Sequence, residues 1–256
     1  MRRRRGSLRH LRRSVSPSFW PTHKKSFVWT VKPSPGPHSL HRCIPLGIIL
    51  RDILGYAKTM REARRILGER QVEVDGKVVT DYKFPVGLMD VVHIKATDEY
   101  FRVVPHPTKV LVLHPIEKEE AGFKLLRIRN KVMVKGGNLQ LAFHDGRNHL
   151  IRLKDPFNPV EDVFKTYDTV KMSIPKQEIL DHIKMEPGVL VLVVDGSHVG
   201  FLGKLTDIKQ IFKRPKSLVT IEGTSGKIVR TILDYIFAVG KEEPLISLPE
   251  EVVKSG

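Results

Sequence analysis

The chain has 256 residues, of which 41% are hydrophobic, and 44 Lys and Arg stand against 28 Asp and Glu for a net charge of +16. That apolar content can bury the cores of two or three small domains and excludes global disorder, while no apolar run reaches the roughly 18–20 residues of a membrane helix. Cys43 is the only cysteine and forms no internal disulfide, which suits a reducing compartment. Seven arginines among residues 1–20 leave no apolar stretch for a secretory signal, so the expected location is the cytoplasm.

The charge is unevenly placed. Residues 1–51 hold twelve Lys and Arg and no acid, Asp52 being the first. The other 205 residues are near balance, with 32 basic and 28 acidic groups. A basic arm on an almost neutral body is the footprint of a polyanion binder. Nucleic acid is favoured over an anionic membrane, because residues 1–13 offer no apolar face for a surface-lying helix.

Residues 1–41 read as an extended arm, since Pro17, Pro21, Pro33, Pro35 and Pro37 exclude a long helix. Trp20, Phe27 and Trp29 interrupt its basic runs; they either stack on unpaired bases or pin the arm to the body. Residues 45–57 place Leu46, Ile49, Leu50, Ile53 and Ala57 at helical spacing after Pro45. A second helix starts at Thr59, which forms a capping box with Glu62. On it Met60, Ala63, Ile66 and Leu67 share one face, while Arg61, Arg64 and Arg65 crowd the opposite one, where an anion would relieve their repulsion. Residues 72–79 spell a hairpin turning at Asp75-Gly76, with further strands expected at 91–94 and 101–104. From about 110 to 174 short strands dominate, at 110–113, 125–134, 139–153 and 169–174. A short helix is expected at 176–184, then a strand pair within 186–208, then two strands within 218–239 with a turn near residues 223–226.

Reactive constellations are few. His38, His41 and Cys43 lie close together but lack a second ligand pair, so no metal is expected. Gly223, Gly226 and Lys227 imitate a phosphate loop with two residues between the glycines where four are needed, and Ile228 replaces the Ser or Thr that would hold magnesium. A β-turn is the better reading. His144 and Asp145 are adjacent on a strand, point to opposite faces, and read as a hairpin end before Gly146. Ser197-His198 lacks the setting of a nucleophile elbow. No catalytic set assembles, and no cofactor or small-molecule substrate is implied. Gly188, Gly196, Gly200 and Gly203, followed by Lys204, punctuate a Val- and Leu-rich strand pair. Such glycines permit positive φ and close backbone approach, so that the loop can dock on phosphate or on protein.

Five segments carry a wider resemblance: SPSFW (16–20), PSPGPHSLHRCIPLGIILRDILGYA (33–57), VDGKVVTDYKFPVGLMDVV (74–92), HDGRNHLIRLKDP (144–156) and FAVGKEEPLISLP (237–249). In this order they resemble the S4e family of small-subunit ribosomal proteins, found in archaea and eukaryotes but not in bacteria. Within it, residues 42 to about 104 are similar to the αL RNA-binding motif. The usual Ser-Arg at the second helix start reads Thr59-Met60 here, keeping the cap and losing the arginine; the usual Asn-Gly turn reads Asp75-Gly76, and the late Gly-Asp reads Met89-Asp90. Residues 187–208 resemble a KOW motif through Gly188, Val191, Gly196, Gly200 and Gly203.

The resemblance implies a β-rich, multidomain α+β protein. Its parts would be a basic arm (1–41), an αL RNA-binding domain (42–104), a middle β domain (105–175), a small KOW β-barrel of the Src-homology-three type (176–243) and a tail (244–256). It implies a structural constituent of the small ribosomal subunit, cytoplasmic and ribosome-associated, with ribosomal RNA and neighbouring ribosomal proteins as partners. No catalysis, membrane or homo-oligomer is implied. The RNA-binding residues expected are Arg2, Arg3, Arg4, Arg5, Arg9, Arg12, Arg13, Lys24, Lys25, Arg42, Arg51, Lys58, Arg61, Arg64, Arg65 and Lys77. The alternatives are an RNA-modifying enzyme of the pseudouridine synthase kind carrying an αL module, and a KOW-type translation or transcription factor. The first needs an aspartate in an arginine-leucine-aspartate-like setting, which no Asp after residue 105 has; a long arginine arm is less natural in the second.

Overall fold

A computed structural model describes residues 9–23, 25, 27–155, 162–211, 214–224 and 226–255. Within these bounds the arm is tied back onto the body. Strand β1 (Leu11–Arg12) pairs antiparallel with β2 (Trp29–Thr30). Trp20 is 2% exposed, and its indole N–H donates to the Cys43 carbonyl at 2.8 Å. A buried indole with its one donor satisfied is a strong anchor, so pinning is the role of Trp20. Phe27 and Trp29 stay exposed, at 62% and 55%.

Strand β3 (Cys43–Pro45) leads into a buried helical segment. The single helix expected over 45–57 is instead one α-turn, α1 (Leu46–Ile48), running into a π-helical turn over Ile49–Ile53. Leu54 N–H donates to the Ile49 carbonyl at 2.9 Å, the five-residue spacing of a π turn. Helix α2 (Met60–Gly68) starts where its cap predicts. Thr59 Oγ1 accepts from Glu62 N–H, the Glu62 carboxylate accepts from the N–H of Lys58 and Thr59, and Ala63 and Leu67 are buried.

The next strands are β4 (Val72–Val74), β5 (Lys77–Val78), β6 (Pro85–Gly87), β7 (Val91–Ile94), β8 (Glu99–His106) and β9 (Val110–Ile116). β6 pairs with β3, and the others form an antiparallel sheet in the order β5-β4-β7-β8-β9. Asp75 and Gly76 turn the β4–β5 hairpin at φ 49° and 70°, as a two-residue loop of this kind requires. Met89, where the resembling family carries glycine, holds φ 65°. The helices, this sheet, Leu11 and Trp20 share one core.

After a short α3 (Lys118–Ala121) comes the middle sheet. Its strands are β10 (Phe123–Val134), β11 (Asn138–Phe143), β12 (Asn148–Ile151), β13 (Thr169–Ser173) and β14 (Ile179–Ile183), ordered β12-β11-β10-β13-β14. The helix expected at 176–184 is thus strand β14. A tight turn, with Gln177 at φ 64° and Ser173 N–H donating to the Glu178 carbonyl, folds it onto β13 and buries Ile183. Cross-strand packing outweighs helix propensity there.

The last sheet contains β15 (Leu190–Val193), β16 (Leu202–Lys209), β17 (Leu218–Gly223), β18 (Ile228–Ile232) and β19 (Ile236–Gly240), ordered β18-β17-β16-β15-β19. Two strands were expected within 218–239, but there are three. A 3₁₀ turn at Leu233–Tyr235 redirects the chain so that β19 pairs with β15. Helix α4 (Glu250–Ser255) follows.

The three larger sheets meet in a shared core of Met89, Leu125, Leu192, Phe237, Val239 and Val252. Buried arginines stitch the seams. Arg102, on β8, donates to the Glu120 and Phe123 carbonyls, and Arg127, on β10, to the Asp234 and Ile236 carbonyls. The β8–β9 hairpin crosses residue 104 and the turn into β14 crosses residue 175, so hydrogen-bonded units run through both expected divisions.

The loop between β15 and β16 docks on the protein itself. Gly188, Gly196 and Gly200 have positive φ; a Cβ on Gly200 would meet Pro107 Cδ at 2.6 Å, and one on Gly203 the Glu222 carbonyl oxygen at 2.5 Å. Gly200→Val therefore combines left-handed strain with a clash. Its expected cost is about 2–4 kcal/mol, read as a lowered melting temperature with Gly200→Ala intermediate. Wild-type melting of the valine variant would show that this contact is not made.

Candidate nucleic-acid interface

The arm and the start of α2 enclose a groove of about 580 Å³. Arg9, Lys32, Arg51, Lys58, Arg64 and Lys83 line it together with Phe27, Trp29 and Tyr82, and no Asp or Glu is among its described lining residues. The arm hairpin supplies one wall, the π turn and the α2 start a second, and the Tyr82-Lys83 loop the third. Positive groups that outnumber nearby carboxylates focus a field that concentrates anions. Arginines also lie against the rings: Arg64 is 4.1 Å from the Tyr82 ring centroid, Arg51 5.2 Å from Phe27, and Arg12 5.7 Å from Trp29. Cations over rings at these distances hold both partners in place.

The residues expected to bind RNA divide by environment. Arg9, Arg51, Lys58 and Arg64 line the groove, although Arg51 also forks onto Asp52 at 2.8 Å through both Nε and NH2. Arg12 flanks it through Trp29. Arg61 is exposed on α2, and Arg65 is paired with Glu69 at 3.0 Å on the open surface, a contact worth little in water. Arg13 turns inward, donating to the Thr22 carbonyl and to Ser16 Oγ. Arg42 bridges to Asp195 at 2.9 Å in the β15–β16 loop. Lys25 and Lys204 are exposed elsewhere, and Lys77 lines a second cavity beside Asp75 and Arg147. Arg2, Arg3, Arg4, Arg5 and Lys24 lie outside the described residues. Lys32, Tyr82 and Lys83 belong to the groove but were not singled out from sequence. Their signal is faint, a lysine in a basic arm and an aromatic-basic pair in a loop.

Behind that second cavity lies a buried ionic cluster joining the first and middle sheets. Lys124 Nζ, 1% exposed, touches Asp75 Oδ2 at 2.8 Å, Asp90 Oδ1 at 2.5 Å and Asp145 Oδ2 at 3.2 Å. Arg147 reaches Asp75 at 2.6 Å and Asp145 at 3.1 Å, and His38 Nε2 meets Asp90 at 3.1 Å. Burial alone would neutralise Lys124 and Asp90. For Lys124 the three carboxylates reverse this and raise its pKa; for Asp90, His38 and then Lys124 lower it. His38 is thus engaged with Asp90 rather than with Cys43, whose thiol is pushed up to about 12, chiefly by burial and then by the charge of Asp90. Among the described residues no three His, Cys, Asp or Glu gather as metal ligands.

His144 is the uncharged member of this region. Its Nδ1 accepts from Arg127 N–H at 3.2 Å, which leaves Nε2–H to donate to the Leu88 carbonyl at 3.3 Å. Burial first, then the Lys124 charge, lower its pKa to about 3. The unfolded chain, with a histidine near 6.5, takes up the proton first as pH falls. Stability from neutral His144 is therefore complete above about pH 6.5 and drains as pH falls toward about 3. Between pH 7 and 5 the loss should be roughly 2 kcal/mol, or about 4–8 °C in melting temperature. His144→Asn should flatten that pH dependence; an equally steep one would assign it to other groups.

With this geometry in hand, residues 5–41 match the RS4NT (NUC023) domain, 48–92 the S4 domain and 97–179 the ribosomal family S4e. The small ribosomal subunit protein eS4 of Staphylothermus marinus is 54% identical over 247 residues, covering 96% of this chain and 98% of that one. Its counterpart in Methanothermobacter thermautotrophicus is 48% identical, covering 95% and 97%. The crystal structure of the 30S ribosomal protein S4e from Thermoplasma acidophilum superposes with a TM-score of 0.65 at 36% identity, covering 78% of this chain and 96% of that one. Relatives about half identical and matched over almost the full length decide the matter: the chain belongs to the ribosomal S4e family.

Proposed function

We propose that the chain is a structural constituent of the small ribosomal subunit, where it binds ribosomal RNA and packs beside other ribosomal proteins. The observation that carries this is the groove, in which residues of the arm, the π turn, the α2 start and the Tyr82-Lys83 loop bring six cations together with Phe27, Trp29 and Tyr82, with no Asp or Glu among the described lining. It works by charge neutralisation and shape rather than chemistry, in keeping with a ribosomal family that is not an enzyme family, and its place is with the ribosome in the cytoplasm. The synthase and factor alternatives receive no support from relatives that are ribosomal over nearly their full length.

In this reading residues 42–116 act as an αL module, supported by the capped α2 and the Asp75-Gly76 hairpin. Residues 118–183 form the middle β domain. Residues 188–240 form a KOW barrel, supported by the five antiparallel strands and by glycines at positive φ around the β15–β16 loop. Co-sedimentation with small-subunit particles tests the assignment. The full chain should travel with them at low salt, and removal of residues 1–8, with four of the arginines, should lower the salt at which it is released. Failure to co-sediment at any salt would overturn it. A longer cut is less informative, because it removes Leu11 and Trp20 from the core.

A further inference from the structure

Resting on the RNA-binding reading, we infer that the groove takes unpaired nucleotides, a base stacked on Trp29 and its phosphate held by Lys58 and Arg64, and not the backbone of a duplex. Trp29 and Phe27 are large rings left more than half exposed on the arm, beside a cavity that Lys58 and Arg64 line. Trp20, on the same arm, shows that the fold can bury a ring there when the ring serves as an anchor. All three rings have an arginine near them, but Arg64 lies 4.1 Å over Tyr82 and Arg51 5.2 Å from Phe27, whereas Arg12 stands 5.7 Å from Trp29 and leaves that ring 55% exposed.

At about 580 Å³ the cavity lies within the roughly 300–1,000 Å³ of small-ligand sites. That volume suits one or two nucleotides, whereas a double helix presents a convex rod with its base faces hidden. Only unpaired RNA offers a flat π face within reach of a phosphate. An acidic protein segment would satisfy the cations and leave the rings in water.

The full-length chain is titrated with a short single-stranded oligoadenylate, a blunt RNA duplex of equal phosphate number, and polyglutamate. Oligoadenylate should bind more tightly than the other two and quench the emission of Trp29, the exposed one of two tryptophans, with buried Trp20 unaffected. Trp29→Leu should weaken oligoadenylate binding roughly tenfold, as loss of one base stack does, and leave duplex binding unchanged. Trp29→Phe keeps a ring and should retain most of the affinity, which separates lost stacking from a disordered arm. Duplex or polyglutamate binding as tight as oligoadenylate, with tryptophan emission unmoved, would overturn the inference while leaving RNA binding standing. Binding of neither RNA would overturn the underlying reading as well.

Discussion

Lys124→Met is expected to cost about 3–5 kcal/mol of folding stability, the loss typical when one partner of a buried ion pair is removed. The substitution keeps an unbranched side chain but leaves the buried carboxylates of Asp75, Asp90 and Asp145 with only Arg147 and His38 to answer them. Lys124→Arg should not rescue, because three oxygens converge on one ammonium nitrogen and a planar fork cannot reproduce that geometry. Adding Asp90→Asn and Asp145→Asn to Lys124→Met should recover part of the loss, since charge without a partner is the cause. Chemical denaturation of the four proteins at neutral pH checks this. A loss below about 1 kcal/mol for Lys124→Met would mean that water or movement relieves the cluster. The depressed Asp90 pKa has a matching consequence. Its contribution is present above the unfolded carboxylate value near 4 and falls away as acid protonates the site.

Much of the local structure was legible because it depends on neighbours in sequence. Thr59 and Glu62 announce the start of α2, the spacing of Ala63 and Leu67 identifies its buried face, and Asp75-Gly76 marks a hairpin. What stayed hidden depends on distant partners. Strand β14 exists because β13 and a turn at Gln177 receive it, and β19 because β15 has a free edge. The π turn at Ile49–Ile53 leaves no mark in the apolar spacing, which an α-helix satisfies equally well. Lys124, Asp90 and Asp145 look like surface charges in a chain that is 28% charged, and only the packing of two sheets removes them from water. The candidate site was half readable for the same reason. Its arginines stood out in the arm and on α2, but Lys32, Tyr82 and Lys83 join them only once the arm folds back. Arg13 and Arg42, also expected to bind RNA, make partners that only the fold supplies, the Thr22 carbonyl and Asp195.

Replacing Lys32, Lys58, Arg64 and Lys83 together by glutamine removes four groove cations and should leave the core intact, because none of the four is buried. Glutamine retains helix propensity and much of the aliphatic stem, so folding stability should change by only about 0.5 kcal/mol per site. Charge-assisted contacts are worth about 1.5–3 kcal/mol each, and with neighbours non-additive the expected loss of RNA affinity is roughly 3–6 kcal/mol at low salt. The most direct measurement is the affinity of this variant and of the parent chain for small-subunit ribosomal RNA across a salt series, with thermal melting on the same preparations. The groove account predicts cooperative melting lowered by at most about 4–8 °C and a slope of log affinity against log salt shallower by about 2–4, at 0.7–0.9 per lost phosphate contact. Parental affinity and slope in a well-folded variant would contradict it and place the RNA on another face.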